Sequence, residues 1–143
     1  MAQICSDVKI KDVMASQVVA VPPFARAEHA LDLMLRHCFR HLLVVENNHL
    51  IGVITLADIL GLQASGAFQR LTFADMLIDL EQNIVASMMT TSPVTVSELD
   101  NIEHALRLMS EHRCSGLPVI NDDGDIAGLI TESDIVELVS SQW

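Results

Sequence analysis

The sequence is poor in aromatic residues and in positive charge. Only 3% of the 143 residues are aromatic, and none is a tyrosine. Eight lysine and arginine residues stand against 19 acidic residues, which gives a formal net charge of −11. Nucleic-acid binding needs positive surfaces for the phosphates and exposed aromatic rings for unpaired bases. We therefore predict that this protein has no nucleic-acid partner.

Long apolar runs and a cysteine framework are also missing. The apolar runs are of strand length, far below the roughly 20 residues of a membrane span, so no membrane partner is expected. The N-terminus has no charged region followed by an apolar stretch, so no secretory signal is expected. Cys5, Cys38 and Cys114 contain no CxxC pair. This pattern favours reduced thiols in a cytoplasmic protein, with Cys38 and Cys114 as small core residues.

What the sequence does contain is an internal repeat. Residues 28–31 (EHAL) return unchanged as residues 103–106, and residues 52–59 (GVITLADI) return as residues 128–135 (GLITESDI). The offset grows by one residue at the turn 121–124 of the second copy. A repeat of this kind decides the architecture before any single motif does. We expect a functional unit built as a pair, with each site occurring twice about a pseudo-twofold axis.

Hydrophobic spacing gives both copies the same order of elements, β-α-β-β-α. In the first copy, one helical face carries Ala27, Ala30, Leu31, Met34 and Cys38. In the second copy, strands are predicted at 93–96, 117–120 and 126–130, and helices at 102–111 and 134–139. The fold class is therefore α+β, with two small three-stranded sheets packed through helices. The predicted boundaries are repeat 1 at 8–62, a partly helical connector at 63–83 and repeat 2 at 84–139.

The connector carries an apolar stripe outside the repeats. Residues 71–80 have helical spacing, with Phe73, Leu77 and Leu80 on one stripe. Such a stripe is more often used for packing than for chemistry. Together with the apolar helix faces of the repeats it predicts a homodimer.

Each copy ends a strand with Gly-h-h-Thr-x-x-Asp, where h is apolar. Thr55 and Thr131 stand where a helix begins, and Asp58 and Asp134 follow one turn later. The first N–H groups of a helix lack partners and attract anions, while a carboxylate is an acceptor for a vicinal diol. Phosphate at the helix start and ribose on the aspartate would together describe a nucleotide. The same residues are also ordinary helix-capping residues. Both interpretations stay open.

At this point the chain resembles a tandem pair of CBS domains, often called a Bateman module. The resemblance rests on Asp12-Val13-Met14 and Ser87-Met88-Met89 before the first strands, on the Ala-Leu-x-Leu-Met helices, and on the Gly-h-h-Thr-x-x-Asp-Ile ends. It also rests on residues 115–119 (SGLPV) with their partner 40–44 (RHLLV), and it spans about residues 8 to 139. Members of this family commonly bind adenine nucleotides in clefts between the two repeats. The resemblance implies that the aspartates hold ribose hydroxyls while the threonines face phosphate.

The resemblance also implies that the clefts cross over between repeats. One cleft would contain Thr55 and Asp58 with Pro93, Val94, Cys114 and Ser115. The other would contain Thr131, Ser133 and Asp134 with Val18, Val19, Phe39, Arg40 and His41. Because Arg40 and His41 bring positive charge into an acidic chain, the second cleft is expected to bind phosphate more tightly.

The expected role is a regulatory sensor that binds an AMP-, ADP- or ATP-like ligand, with or without Mg²⁺, and modulates an unknown partner. No catalytic residues and no resident metal site are predicted, since neither a nucleophile arrangement nor metal-ligand spacing is visible. Three alternatives remain at this stage. The pair is a ligand-free dimerisation or adaptor module, it senses a divalent cation such as Mg²⁺, or it is an enzyme whose site the motifs do not reveal.

Overall fold

The computed structural model describes residues 6–61 and 73–141. The helices in these ranges are α1 (Ala27–His37), α2 (Leu56–Ile59), α3 (Phe73–Gln82), α4 (Ile102–His112) and α5 (Glu132–Ser140). The strands are β1 (Ala20–Val21), β2 (His41–Glu46), β3 (His49–Thr55), β4 (Thr90–Thr91), β5 (Val96–Ser97), β6 (Gly116–Ile120) and β7 (Ile126–Thr131). Short 3₁₀ turns span Ile10–Asp12 and Val85–Ser87.

The strands form two small sheets, which confirms the mixed α+β class and the order β-α-β-β-α in each copy. One sheet has the order β1-β2-β3-β4, and the other has the order β5-β6-β7. The first strand of each copy runs parallel to the second strand, and the second and third strands form an antiparallel hairpin. Strand β5 has two residues and not the four predicted at 93–96, because only Val96 and Ser97 pair with β6. Strand β4 was not predicted.

The two long repeat helices bury the same face in both copies. Helix α1 buries Ala27, Ala30 and Met34, and α4 buries the equivalent residues of the second copy. Spacings of three and four residues keep these side chains on one stripe facing the sheet. The prediction that Cys38 belongs to the core is wrong, since its side chain is exposed. Helix α1 ends at His37, and Cys38 follows in the left-handed conformation with φ 57°, so it leaves the buried face.

The second copy is one residue longer than the first, and the hairpin turns show where this extra residue lies. In the first hairpin, Asn47 and Asn48 both have positive φ, at 53° and 65°, as a two-residue type I′ turn requires. In the second hairpin, Gly124 has φ 82° and the Asn121 side chain accepts the N–H of Asp125 at 3.0 Å. The extra residue is therefore absorbed in a side-chain-stabilised turn, and the sheet pairing on either side is kept.

The described residues form two compact units, and these are not the two sequence repeats. The first-repeat unit contains the residues from Val19 to Ser92. The second-repeat unit contains the residues from Pro93 onwards together with those up to Val18. The segment with which repeat 1 begins in the sequence therefore packs on the second-repeat unit. We call residues 8–15 the first lead-in segment and residues 83–91 the second lead-in segment.

Backbone hydrogen bonds hold the first lead-in segment on the second-repeat unit. The N–H of Ile10 donates to the carbonyl of Asp100 at 2.8 Å. Ala15 and Leu129 exchange both N–H to carbonyl bonds, at 2.9 and 3.0 Å. The Ile10 side chain is completely buried in the core of that unit. The segment is thus an integral part of the second-repeat unit.

The second lead-in segment repeats this docking on the first-repeat unit. The N–H of Val85 donates to the carbonyl of Ala25 at 2.7 Å, which is the equivalent of the Ile10 bond. Thr90 pairs with Val53 as Ala15 pairs with Leu129. Each unit therefore receives its lead-in from a part of the chain that the repeat pattern assigns to the other copy.

The predicted connector helix is present as α3, described from Phe73 to Gln82, while the predicted residues 71 and 72 lie outside the described residues. Leu80 is buried in the core of the first-repeat unit, whereas Leu77 is 45% exposed. Only part of the predicted stripe is therefore used for packing inside the unit. The side chain of Phe73, like residues 62–72, lies outside the described part of the chain.

Candidate functional site

A capping box closes the start of α2 in the first-repeat unit. The N–H of Thr55 donates to Asp58 Oδ2 at 2.8 Å, and the N–H of Asp58 donates to Thr55 Oγ1 at 3.1 Å. Asp58 is 9% exposed and is the buried charged residue of the described core. The capping interpretation of Thr-x-x-Asp is therefore confirmed for this copy, where the aspartate fixes the turn that leads from β3 into the helix.

The second-repeat unit contains the same box at the start of α5. Asp134 Oδ2 accepts the N–H of Thr131 at 2.9 Å and its hydroxyl at 3.0 Å. The N–H of Asp134 lies 3.4 Å from Thr131 Oγ1. All contacts to the Asp134 carboxylate from the described residues go to Oδ2, and the side chain is only half-buried. The second oxygen, Oδ1, accepts none of these hydrogen bonds.

The residues that precede the second strand lie beside these helix starts. In the first-repeat unit, His41 pairs with Thr55, and the N–H of Leu56 donates to the Arg40 carbonyl at 2.9 Å. Arg40 is exposed and His41 is half-buried. Since the backbones of β2 and β3 are bonded here, the basic pair is fixed next to the capping box of its own copy.

The second-repeat unit has the same arrangement with different charges. Gly116 pairs with Thr131, and the N–H of Glu132 donates to the Ser115 carbonyl at 2.9 Å. Glu132 and Ser133 are both exposed in the first turn of α5. This helix start is therefore acidic where that of the first copy is flanked by Arg40 and His41.

The first strands begin at the same end of each sheet. The carbonyl of Val19 accepts the N–H of Leu43 at 3.2 Å, and β1 runs parallel to β2. Parallel pairing brings the start of β1 to the start of β2, where Thr55 also lies. Val94 holds the equivalent place before β5 and packs against the core of the second-repeat unit. One end of each sheet thus collects the candidate residues of the same sequence copy.

The candidate residues divide between the two units. The first-repeat unit contains Val19, Phe39, Arg40, His41, Thr55 and Asp58, and the second-repeat unit contains Val18, Pro93, Val94, Cys114, Ser115, Thr131, Ser133 and Asp134. Each crossed cleft that the resemblance implies draws residues from both units. The pairing of the two sets therefore stays a prediction.

Two features of this end of the sheets were not found from the sequence. Arg113 is an exposed cation directly before Cys114 and Ser115, and it ends α4 with φ 52°. The equivalent residue of the first copy is Cys38, which has no positive charge, so a comparison of the two repeats did not reveal Arg113. The ring of Phe39 stacks on that of His37, with centroids 5.7 Å apart, so Phe39 already has an aromatic partner.

The thiols of Cys38 and Cys114 lie in different environments. Burial raises the pKa of Cys114, and the nearby carboxylate of Glu132 acts in the same direction. Since the thiolate is the reactive form, we expect Cys38 to be alkylated by iodoacetamide faster than Cys114 at pH 8. Mass spectrometry of chains that keep one of the two thiols, with serine at the other cysteines, measures both rates. Equal rates would contradict the assigned burial.

Residues 6–61 and 73–141 show no group of three His, Cys, Asp or Glu side chains placed to hold a metal ion. No helix among them is long and apolar enough to cross a membrane.

Comparison with known proteins defines the class. The family model of the CBS domain matches the chain twice, at residues 10–65 and 85–141. This chain therefore belongs to the CBS domain family and is a CBS domain pair. A CBS domain-containing protein of Dictyostelium discoideum is 29% identical over 133 residues, which are 92% of this chain and 91% of that protein.

Other relatives are longer proteins. Homoserine O-acetyltransferase of Methanosphaera stadtmanae is 28% identical over 134 residues, and the chain spans 93% of its own length but only 24% of the enzyme. The chloroplastic CBS domain-containing protein CBSX2 of Arabidopsis thaliana is 31% identical over 81% of this chain and 56% of that protein. The chain therefore covers about a quarter to a half of these relatives.

Solved structures share the fold. The structure of CBSX2 from Arabidopsis thaliana superposes with a TM-score of 0.75 at 27% identity, covering 94% of this chain and 95% of the other. A structure of CBSX2 in complex with AMP gives a TM-score of 0.73 at 26% identity, with 94% and 97% covered. The CBS domain pair of MJ0100, in complex with 5′-methylthioadenosine and S-adenosyl-L-methionine, gives 0.77 at 23% identity over 95% and 98% of the two chains.

Proposed function

We propose that this CBS domain pair is a regulatory module that binds an adenine nucleotide of the AMP, ADP or ATP type and modulates a partner protein. The observation that carries the proposal is the duplicated capping box, which places a threonine and an aspartate at a helix start in both copies. The AMP complex of CBSX2, at 26% identity over 94% of this chain, supports the ligand class. In this role the module senses a ligand and is not a catalyst.

Asp134 is the proposed ribose-binding residue of the second-repeat unit. Its Oδ2 already holds Thr131, so the box keeps the carboxylate in place before a ligand arrives. A ribose hydroxyl donates to Oδ1, while a phosphate group lies near the threonine and the first turn of the helix. Asp58 takes the same role in the first copy.

The test separates ribose binding from capping. In Asp134→Asn, the amide oxygen still accepts the Thr131 N–H, but the amide nitrogen offers no acceptor at the ribose. We expect AMP affinity, measured by calorimetry in an Asp58→Asn background, to fall roughly 10- to 150-fold, which corresponds to about 1.5–3 kcal/mol for a hydrogen bond to a charged group. The melting temperature without ligand should stay close to that of the parent chain.

2′-Deoxy-AMP is the matched control ligand, because it lacks one of the two hydroxyls. The loss of binding affinity caused by Asp134→Asn should be smaller for 2′-deoxy-AMP than for AMP. An unchanged AMP affinity together with a lower melting temperature would mean that Asp134 only caps α5. If no adenosine compound raises the melting temperature of the unmodified chain, the adaptor alternative replaces the sensor.

We also propose that the chain forms a homodimer. The exposed apolar side chains of α1, α3 and α5 support this, among them Leu35, Leu77, Ile78 and Val136. Light scattering at tens of micromolar, an order of magnitude set by ordinary affinities, should give twice the 15.7 kDa mass of the chain. A mass of one chain at that concentration would contradict the proposal.

A further inference from the structure

The first lead-in segment docks as a complete structural element on the second-repeat unit. It contributes the fully buried Ile10, and Met14 lies against Gly128. Its backbone is bonded to the loop before α4 and to β7, and Lys9 forms a further bridge with Asn101. The second-repeat unit therefore has a groove whose occupant is known in detail: an apolar residue followed four residues later by methionine.

The two lead-in segments differ in how the chain enters them. The second lead-in segment directly follows α3, whose Leu80 is buried in the first-repeat unit, so the chain comes to it from the unit on which it docks. Both segments then lead into the other unit, the first through the exposed residues Ser16 and Gln17 and the second through the exposed residue Ser92. An exchange of the second segment would therefore also have to separate it from α3.

We propose that the groove of the second-repeat unit also accepts the first lead-in segment of a second copy of this chain, so that two chains exchange residues 8–15. The contacts made by Ile10, Met14 and Ala15 are the same in both arrangements, because the exchanged element is identical. Only the conformation at Ser16 and Gln17 and the entropy of association differ, which makes exchange a low-cost route to a dimer. The partner then supplies residues without which the second-repeat unit is incomplete.

A mixture of two single-cysteine chains tests this exchange directly. In a background with serine at Cys5, Cys38 and Cys114, one variant carries Lys9→Cys and the other carries Asn101→Cys. The two positions are bridge partners within the unit, so their Cα atoms lie within disulfide range, roughly 4.4–6.8 Å. The variants are unfolded together, refolded at high concentration and oxidised. We expect a disulfide-linked heterodimer whose yield rises with concentration, identified by mass spectrometry.

The equivalent pair of the first-repeat unit is the matched control. Ile84 and Arg26 form the same bridge in the first copy, but their segment directly follows α3, which is packed on the same unit, so a mixture of Ile84→Cys and Arg26→Cys should give no heterodimer above background. A second exchange pair, Ala15→Cys with Leu129→Cys, covers the event that either first variant folds poorly. If neither exchange pair gives more heterodimer than the control mixture at any concentration, the segments do not exchange and the proposal is wrong. Side-by-side association without exchange would give the same background yield in all three mixtures, and that result would also contradict the proposal.

Discussion

Ile10→Ala should destabilise the second-repeat unit by about 2–5 kcal/mol, although residue 10 belongs to the first repeat in the sequence. The side chain is completely buried in the core that contains Val96, Leu117 and Ile130. Truncation removes buried methyl groups and leaves a cavity between the lead-in segment and the sheet. Hydrogen exchange under native conditions should therefore show faster exchange in β6 and β7, with β2 and β3 much less affected.

Val85→Ala is the matched control for this experiment. Val85 is the equivalent residue of the second lead-in segment and is also completely buried, but in the core of the first-repeat unit. Val85→Ala should therefore speed up hydrogen exchange in β2 and β3 and affect β6 and β7 much less. If Ile10→Ala weakened the protection of β2 and β3 more than that of β6 and β7, the assignment of the lead-in segments would be wrong.

Gly128→Ala should destabilise the same unit from the other side of the contact. A Cβ at this position would meet the backbone carbonyl of Ala15 and would lie 2.9 Å from the sulfur of Met14. The methionine end is flexible, but the carbonyl is held by its bond to Leu129. Since the strand and the lead-in segment would have to separate, we expect a loss of about 1–3 kcal/mol in urea unfolding.

Gly52 and Gly124 are controls that distinguish this steric clash from the general cost of replacing a glycine. Gly52→Ala should be similarly costly in the first-repeat unit, where a Cβ would lie 2.7 Å from Met89 Sδ and 2.8 Å from the Thr90 carbonyl. At Gly124 an added Cβ would meet no atom within 4 Å, so Gly124→Ala should lose stability only through the backbone φ of 82°. A stability of Gly128→Ala equal to that of the parent chain would mean that the lead-in segment is not packed against β7 as described.

The sequence was sufficient to predict the local elements. Apolar spacing predicted a helix at 102–111, which the structure shows at Ile102–His112 as α4, and it predicted most of the buried face of α1. Apolar runs also predicted the strands 117–120 and 126–130, which form the second hairpin. The motif Thr-x-x-Asp predicted the capping boxes, because its hydrogen bonds connect residues only three apart. Patterns of this kind are local, so propensity and periodicity carry nearly all of the information.

Predictions that depended on distant parts of the chain were less complete. Cys38 matched the apolar face of α1 by spacing, but the helix ends one residue earlier, and the left-handed backbone places the thiol outside. Strand β4 has only two residues and exists because β3 lies next to it. Of the predicted connector stripe, Leu80 is buried in the core and Leu77 is exposed. The sequence could not separate the two, because the width of the buried helix face depends on what packs against it.

The sequence by itself determined the repeat, the order of elements, the family and the identity of the residues at both helix starts. The tertiary structure decided which lead-in segment completes which unit, and it placed Arg40 and His41 beside Thr55 in the same sheet. The physical reason is that the two lead-in segments and the two grooves have nearly the same pattern. The repeat shows which kind of segment docks in which kind of groove. Only the three-dimensional path of the chain decides on which copy each segment docks.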